Sequence, residues 1–196
     1  MIGAISLMRR RHDIGPEQFS RHWLDVHGPL VLMMPGLQRY QQAHVIAALS
    51  APARVMAVDG FAQLFFRDVA ARTVAYASAE LAACDRDSPL FIGLVTRLVT
   101  EPEELIAGRG AVKLMLLYPP GEAPDTAALR GPAGLVGATL HAVRSQGAAP
   151  HSAVAELVCP LCALAEMWFA DEAAARAAAA RFPNTGTYLV REHEFI

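Results

Sequence analysis

Cysteine is scarce: the 196-residue chain holds three, Cys84, Cys159 and Cys162. They are too few and too unevenly spaced for a disulfide framework, so reduced thiols and a cytoplasmic location are expected. Charge of one sign is also lacking, with 17 Lys+Arg against 19 Asp+Glu and a formal net charge of -2. A nucleic-acid binder needs clustered Lys/Arg to displace counterions from phosphates, so no nucleic-acid partner is expected. No uninterrupted apolar run reaches the roughly 18 residues that span a bilayer. Within residues 1–20, Arg9, Arg10, Arg11 and Asp13 stand where a signal peptide needs its apolar segment. No membrane partner is expected either. Phosphate loops, dinucleotide fingerprints and the Gly-x-Ser-x-Gly elbow are all missing.

What is present is apolar: 54% hydrophobic against 18% charged residues, which excludes a disordered chain. Much of that fraction is alanine, as in residues 173–180, so hydropathy overstates the bulky core. The length fits one large domain or two small ones. An internal repeat favours two. Phe61-Ala62-Gln63-Leu64-Phe65-Phe66-Arg67-Asp68 matches Leu164-Ala165-Glu166-Met167-Trp168-Phe169-Ala170-Asp171 in apolar pattern and in a final Phe-x-Asp before an Ala-rich segment. The same offset carries Gly28-Pro29 onto Gly131-Pro132, Leu37 onto Leu140 and His27 onto Arg130. Residues 96–101 also match 187–192, and 6–8 match 113–115.

The first copy reads strand, helix, strand, strand, helix, strand. Residues 2–9 are short, apolar and bounded by charge. Pro16 suits a first helical position and Glu17 a first turn. Phe19, Trp23, Val26, His27, Leu30, Val31 and Met34 then follow at helical spacing. Strands are expected at 37–46, 58–67 and 94–100, and one helix at 70–84. Two such βαββαβ units give an α+β fold of two ferredoxin-like repeats, 1–105 and 110–196. Each sheet is covered by helices on one face only, so the other faces are expected to pack together as an intramolecular dimeric-type α+β barrel. Residues 101–110, with Pro102, glutamates and Gly108-Arg109-Gly110, look like an exposed link. The second copy's first helix must fit between Asp125 and the Gly/Pro-rich segment 131–134, so a site in the first half is not expected to recur.

The chemistry concentrates in residues 19–30, Phe-Ser-Arg-His-Trp-Leu-Asp-Val-His-Gly-Pro-Leu, followed by Met34-Pro35-Gly36-Leu37-Gln38-Arg39-Tyr40. This stretch resembles the EthD family of the dimeric α+β barrel superfamily, with its aromatic-rich helix ending in His-Gly-Pro-Leu, then Pro-Gly-Leu and a strand bearing Arg-Tyr. Residues 59–66 resemble the family's third strand, with Gln63 where an acid is usual; Glu166 keeps the acid in the second copy. The resemblance covers about the first 70 residues.

His27 lies one helical turn after Trp23 and two after Phe19, on the buried side, and is expected to face the cavity over which the two halves close. Pro29 cannot donate to the Asp25 carbonyl, so the helix should kink or end there. Beside such a break His27 is placed for general acid/base work, or it merely satisfies freed carbonyls. On the next strand Tyr40, Gln42 and His44 alternate onto one face. They orient a carbonyl or phenol-like substrate, with Tyr40 or His44 stabilising negative charge, or they meet water at a barrel mouth. Trp23, Gln42, Gln63 and Phe65 complete the candidate pocket. Cys159-Pro160-Leu161-Cys162 has redox spacing but precedes a strand rather than a helix, and His141 and His151 lack close sequence partners for a metal. Arg9-Arg10-Arg11 would neutralise an anionic substrate or end a solvated strand. His12 and His22 look peripheral.

The resemblance implies a cofactor-independent enzyme acting on a small, mostly apolar carbonyl or aromatic compound through isomerisation, dehydration, cyclisation or a related degradative step. No metal is expected. A small-molecule binder without turnover and a haem-linked or oxygen-using relative are the competing readings. Any homodimer would be additional to the intramolecular pseudo-dimer.

Overall fold

The computed structural model describes residues 1–52, 55–147 and 152–196; His151 lies outside them. The first half runs β1 (Ile2–Arg10), α1 (Pro16–His22), a π-helical turn (Trp23–His27), α2 (Gly28–Leu32), β2 (Leu37–Ser50), β3 (Gly60–Phe66), α3 (Val69–Tyr76), α4 (Ala79–Asp87), a 3-10 turn (Ser88–Leu90) and β4 (Ile92–Ile106). The second runs β5 (Val112–Tyr118), α5 (Thr126–Arg130), β6 (Leu135–Gln146), β7 (Ala155–Glu156), β8 (Ala163–Phe169), α6 (Glu172–Ala179) and β9 (Gly186–Glu194). Among the described residues no helix is long and apolar enough to cross a membrane.

Hydrogen bonding runs β4-β1-β3-β2 through the first half and β9-β5-β8-β6 through the second. The seams β2–β9 and β4–β6 join these into a closed, antiparallel, eight-stranded barrel. The two halves therefore meet face to face, as the one-sided helix cover requires. β7 adds a short parallel pairing to Leu94 and Val95 of β4.

Several sequence matches acquire a physical reason. The repeated Phe-x-Asp ends a strand and caps the next helix: Asp68 accepts from the Ala71 N–H and Asp171 from the Ala174 N–H, both at 2.8 Å. Before β2 and β6, Gly36 (φ 72°) and Gly134 (φ 74°) hold the left-handed conformation that lets the chain turn into the strand.

Other expectations are corrected. Residues 101–106 belong to β4 and pair with β6, so the exposed link contracts to 107–111. Strands that reach across a seam must be long, and here the glutamates decorate an exposed strand face. The single helix expected at 70–84 is broken because Ser78 caps a new helix at the Leu81 N–H. Register also overturns the gapless alignment. Phe66 faces Leu37 as Phe169 faces Leu135, not Leu140. Lys113 faces Trp168 as Gly3 faces Phe65, so Gly3 rather than Ser6 corresponds to Lys113. Likewise Leu98 opposes Ile5 as Tyr188 opposes Met115, out of phase with the match of 96–101 to 187–192. A slip of odd length would exchange the two faces of a strand, which burial forbids.

Alternation builds three cores. Two lie between sheet and helices, one in each half, around Trp23, Tyr40, Leu64 and Phe66 and around Leu114, Leu116, Met167 and Phe169. The third fills the barrel lumen with Ile5, Leu7, Phe61, Met115, Leu164 and Tyr188. A buried polar cluster continues it. Gln63 Nε2 donates to Glu166 Oε1 at 2.8 Å, Lys113 Nζ donates to Gln63 Oε1 at 3.0 Å and pairs with Glu166 and Glu192, and His141 Nε2 lies 2.5 Å from Glu166 Oε1. Burial alone would raise the Glu166 carboxyl, but Lys113 and His141 outweigh it and hold the group well below the usual carboxylate range. Removing one member of such a cluster strands its partners. Glu166→Ala should lower the unfolding free energy in urea by about 3 kcal/mol, and the double substitution Lys113→Met with Glu166→Leu should recover most of that loss.

Candidate functional site

The helical segment after β1 lies across the outer face of β1, β3 and β2. Phe19, Trp23, His27, Val31 and Met34 form its buried stripe. Four-residue steps drift around an α-helix of 3.6 residues per turn. The wider turn at Trp23–His27 takes up that drift and keeps His27 in line with Trp23. Its closing bond runs from the Gly28 N–H to the Trp23 carbonyl, five residues apart. Of the kink or end expected at Gly28-Pro29, the structure shows an irregular turn just before it and no end. The helix continues through α2, where the missing N–H of Pro29 falls in a first turn. Gly60 on β3 leaves the gap in which the Trp23 indole lies.

His27 is 7% exposed, and its Nδ1 lies 2.8 Å from Asp87 Oδ2. Asp87 ends α4, and its other oxygen lies 3.0 Å from His22 Nε2. The Phe91 ring sits 5.0 Å from both imidazoles. Burial alone would raise the Asp87 carboxyl, but hydrogen bonds from His27 and His22 outweigh it and hold the group below its ordinary range. The carboxylate therefore accepts from Nδ1–H, and in the neutral ring Nε2 carries the lone pair. Among the described residues Nε2 makes no protein hydrogen bond, and the ring lines a cleft of about 70 Å³. Met8, Val31, Met34, Ala62, Leu64 and Ile92 supply its apolar wall; Ser6, Tyr40, Tyr76, Asp85, Ser88 and Arg97 supply its polar groups.

This cleft lies between sheet and helices of the first half. It is not the cavity between the halves into which His27 was expected to look, because side chains fill that lumen. The alternative role for His27, satisfying freed carbonyls at a helix break, gives way to the bond with Asp87. The expected pocket divides accordingly. His27 and Tyr40 share the cleft. Gln63 and Phe65 point to the other face, where Gln63 bonds Glu166 and Phe65 stacks under Arg39.

Gln42 and His44 stand beside the cleft, tied into a chain. Gln42 Nε2 donates to the Tyr40 hydroxyl at 2.7 Å and to the Trp23 carbonyl at 3.0 Å, which leaves its Oε1 to accept from His44 Nε2 at 2.8 Å. His44 Nδ1 must then accept from the Ser20 hydroxyl, also at 2.8 Å, while the indole of Trp23 stacks on the ring at 4.3 Å. Burial, followed by nearby His193 and Arg191, pushes His44 down to about 3. It stays neutral at pH 7 with both nitrogens occupied, so it orients Gln42 and cannot supply the positive charge that a developing anion would need. The option that this strand face meets water at a barrel mouth is overturned, since the helix covers it. Burial also pushes the Tyr40 phenol far up, so that it remains protonated.

Sequence reasoning missed Asp87, and His22 looked peripheral. The only hint was the acidic tetrapeptide Asp85-Arg86-Asp87-Ser88 at the end of a helix, and nothing in linear spacing ties it to residue 27. The arginine run is occupied elsewhere: Arg10 pairs with Asp59 and Arg11 with Asp13, in an open groove with Arg9 and His12. Cys159 is buried, whereas Cys162 is exposed and its thiol points to backbone carbonyls of the 118–122 turn. Among the described residues no group of three or more His, Cys, Asp or Glu side chains is arranged to hold a metal ion.

An EthD domain model matches residues 11–94. Among solved structures, an anthrone oxidase-like protein aligns over 98% of this chain and 92% of its own at 12% identity, TM-score 0.58. A monooxygenase-like protein from Lactobacillus acidophilus NCFM aligns over 97% and 93% at 10% identity, TM-score 0.54. An ethyl tert-butyl ether D (EthD) family protein from Bacillus halodurans C-125 covers 52% of this chain and 97% of its own at 22% identity, TM-score 0.44. At these identities the full-length likeness is one of fold, the closed α+β barrel. No curated protein matches the chain.

The depressed His44 has a measurable consequence. Its folded value of about 3 lies below the ordinary 6.5, so its contribution to stability is complete above pH 6.5 and is lost as pH falls from there toward 3. His193 shifts in the same direction. Between pH 6.5 and pH 5, urea denaturation should show wild type losing about 2 kcal/mol more than His44→Gln.

Proposed function

The chain carries an EthD domain in its first half, and on that premise we propose that it is an enzyme of small-molecule metabolism in which His27 moves a proton on a carbonyl or aromatic compound. The observation that carries this reading is a buried imidazole held by an ionised carboxylate at Nδ1, on a ring that lines a cleft of mixed apolar and polar walls. That is the arrangement a general base needs: fixed tautomer, fixed ring, and a counter-charge for the imidazolium that forms. Nε2 takes a proton from a substrate carbon, and the electron pair moves onto the neighbouring oxygen. Tyr40, kept protonated, is the hydrogen-bond donor closest in kind to what that oxygen requires. Returning the proton to another atom gives isomerisation; returning it to a departing hydroxyl gives dehydration. The step needs only cleft residues and no bound cofactor.

An oxygen-using variant of the same chemistry draws support from the monooxygenase-like and anthrone oxidase-like names of the structural neighbours. There the carbanion formed by His27 would be the species that meets dioxygen. Two ferredoxin-like repeats, 1–105 and 110–196, related by duplication, would account for the two halves and confine the site to the first. A cytoplasmic setting, with any homodimer formed outside the internal barrel, completes the proposal.

Small cyclic ketones and phenols incubated with the protein in air and under nitrogen test it through changes in ultraviolet absorption. On a substrate so identified, His27→Gln should lower kcat by about 10²- to 10⁴-fold with ligand affinity retained, and Asp87→Asn should fall between the two. Equal loss of affinity in His27→Gln, with no turnover in the parent, would point instead to a binding protein. Turnover only in air would select the oxygen-using variant.

A further inference from the structure

Two imidazoles meet on one carboxylate. His22 Nε2 lies 3.0 Å from Asp87 Oδ1 and 3.1 Å from Oδ2, and His27 Nδ1 lies 2.8 Å from the same Oδ2, so one oxygen serves both rings. Among the described residues the Asp87 carboxyl has no other hydrogen-bond partner. The His22 side chain is 24% exposed, whereas Asp87 and His27 are buried, which makes His22 the outermost member of the group.

Local geometry produces this arrangement from both sides. On a regular α-helix, residues five apart point about 140° away from each other. The π-helical turn at Trp23–His27 closes its backbone bond across five residues instead, and that wider turn brings positions 22 and 27 onto one side. Opposite them, the 3-10 turn after α4 closes with the Phe91 N–H donating to the Ser88 carbonyl at 3.2 Å, which brings Asp87 and Phe91 to the same pair of imidazoles. The Phe91 ring is stacked on His22 and tilted against His27, 5.0 Å from each. Residues 87–91 thus supply both the acceptor and the packing surface for the two rings.

We infer that His22 is a positioning residue for the proposed proton transfer: it fixes the Asp87 carboxylate, which in turn fixes the tautomer and orientation of His27. This deepens the reading of His27 as a base and rests on it for the purpose of the alignment. With one imidazole alone, a carboxylate at a helix end would satisfy its remaining lone pairs with water and could turn either oxygen toward His27. The His22 N–H, donated across both oxygens, removes that freedom. Such bonds are charge-assisted, and they lie among buried groups where water competes poorly. When His27 Nε2 gains the substrate proton, the new imidazolium is already paired with a carboxylate that need not reorient. His22 is not among the residues lining the cleft, so it acts through Asp87 and not on the substrate.

Full-length protein labelled with 15N-histidine reads the tautomers directly and without substrate, at about pH 8.5, well above the ordinary imidazole value. Wild type should show neutral His27 protonated at Nδ1 and neutral His22 protonated at Nε2. His22→Phe keeps a ring against Phe91 and removes the donor, so His27 should average between its two tautomers; His22→Gln, which restores an N–H donor, should return it to Nδ1–H. On a substrate that wild type turns over, His22→Phe should lower kcat about tenfold with KM within about twofold, and His22→Gln should regain most of that loss. Four results would overturn the inference: a wild-type His22 protonated at Nδ1, which needs no variant to fold; a His27 tautomer indifferent to His22→Phe; a kcat unchanged in His22→Phe; or a kcat loss as large in His22→Gln. The base reading fails separately. If His27→Gln leaves turnover unchanged while the tautomer coupling holds, the base falls and the linkage from His22 through Asp87 to His27 stands. If His27→Gln abolishes turnover while His22→Phe changes neither tautomer nor kcat, the base stands and the positioning falls.

Discussion

The central strands of the two halves, β1, β3, β5 and β8, are buried on both faces along most of their length, and that single constraint sorts their residues. One face of each sheet is covered by its own helices, so the other can be covered only by the opposite half. Closure of the barrel follows. Strand alternation then sends neighbours in sequence to different environments: Gln63 and Phe65 to the lumen, Ala62 and Leu64 to the cleft. The lumen is filled by apolar packing and by a buried ionic cluster, which gives it rigidity rather than room. In the first half a cleft remains where short helices lie over the sheet and leave it incompletely covered.

The proposed base is assembled by convergence. His27 comes from a π turn, its carboxylate from the end of α4, and the wall from β1, β2 and β3. The π turn is what aligns His27 with Trp23, and Trp23 in turn holds His44 and the Gln42 chain. That chain is satisfied internally, with Tyr40 as the member that also faces the cleft. A row of polar residues on a strand thus becomes one cleft-lining phenol and its buried supports.

The halves share a plan but not a helical cover. α5 has five residues where the first half has the long segment from Pro16 to Leu32, and Asp125 rather than a hydrophobic stripe organises its start. Around Leu114 and Met167 the helix–sheet space is packed with alanine, leucine and aromatic side chains. The second half reaches the first through the segment before β8, which pairs with β4 and holds Arg97 through Glu156. The two halves adjoin there across the β4–β6 seam.

Helix and strand were legible in the chain because each depends on local periodicity: the stripe from Phe19 to Met34 and the alternation around Gln63. The closed barrel was legible too, from the need to cover each sheet's bare face. So was the candidate histidine, from its place on a buried helix face and its resemblance to a family motif. Tertiary structure decided which side of the sheet that histidine serves, since periodicity says that a face is buried but not against what. It decided the Asp87 and Glu156 partnerships, because contacts between groups 60 residues apart, as with His27 and Asp87, leave no trace in spacing. It also decided the register of the two halves, because a slip costs nothing in a string of letters and exchanges core for surface in a folded strand.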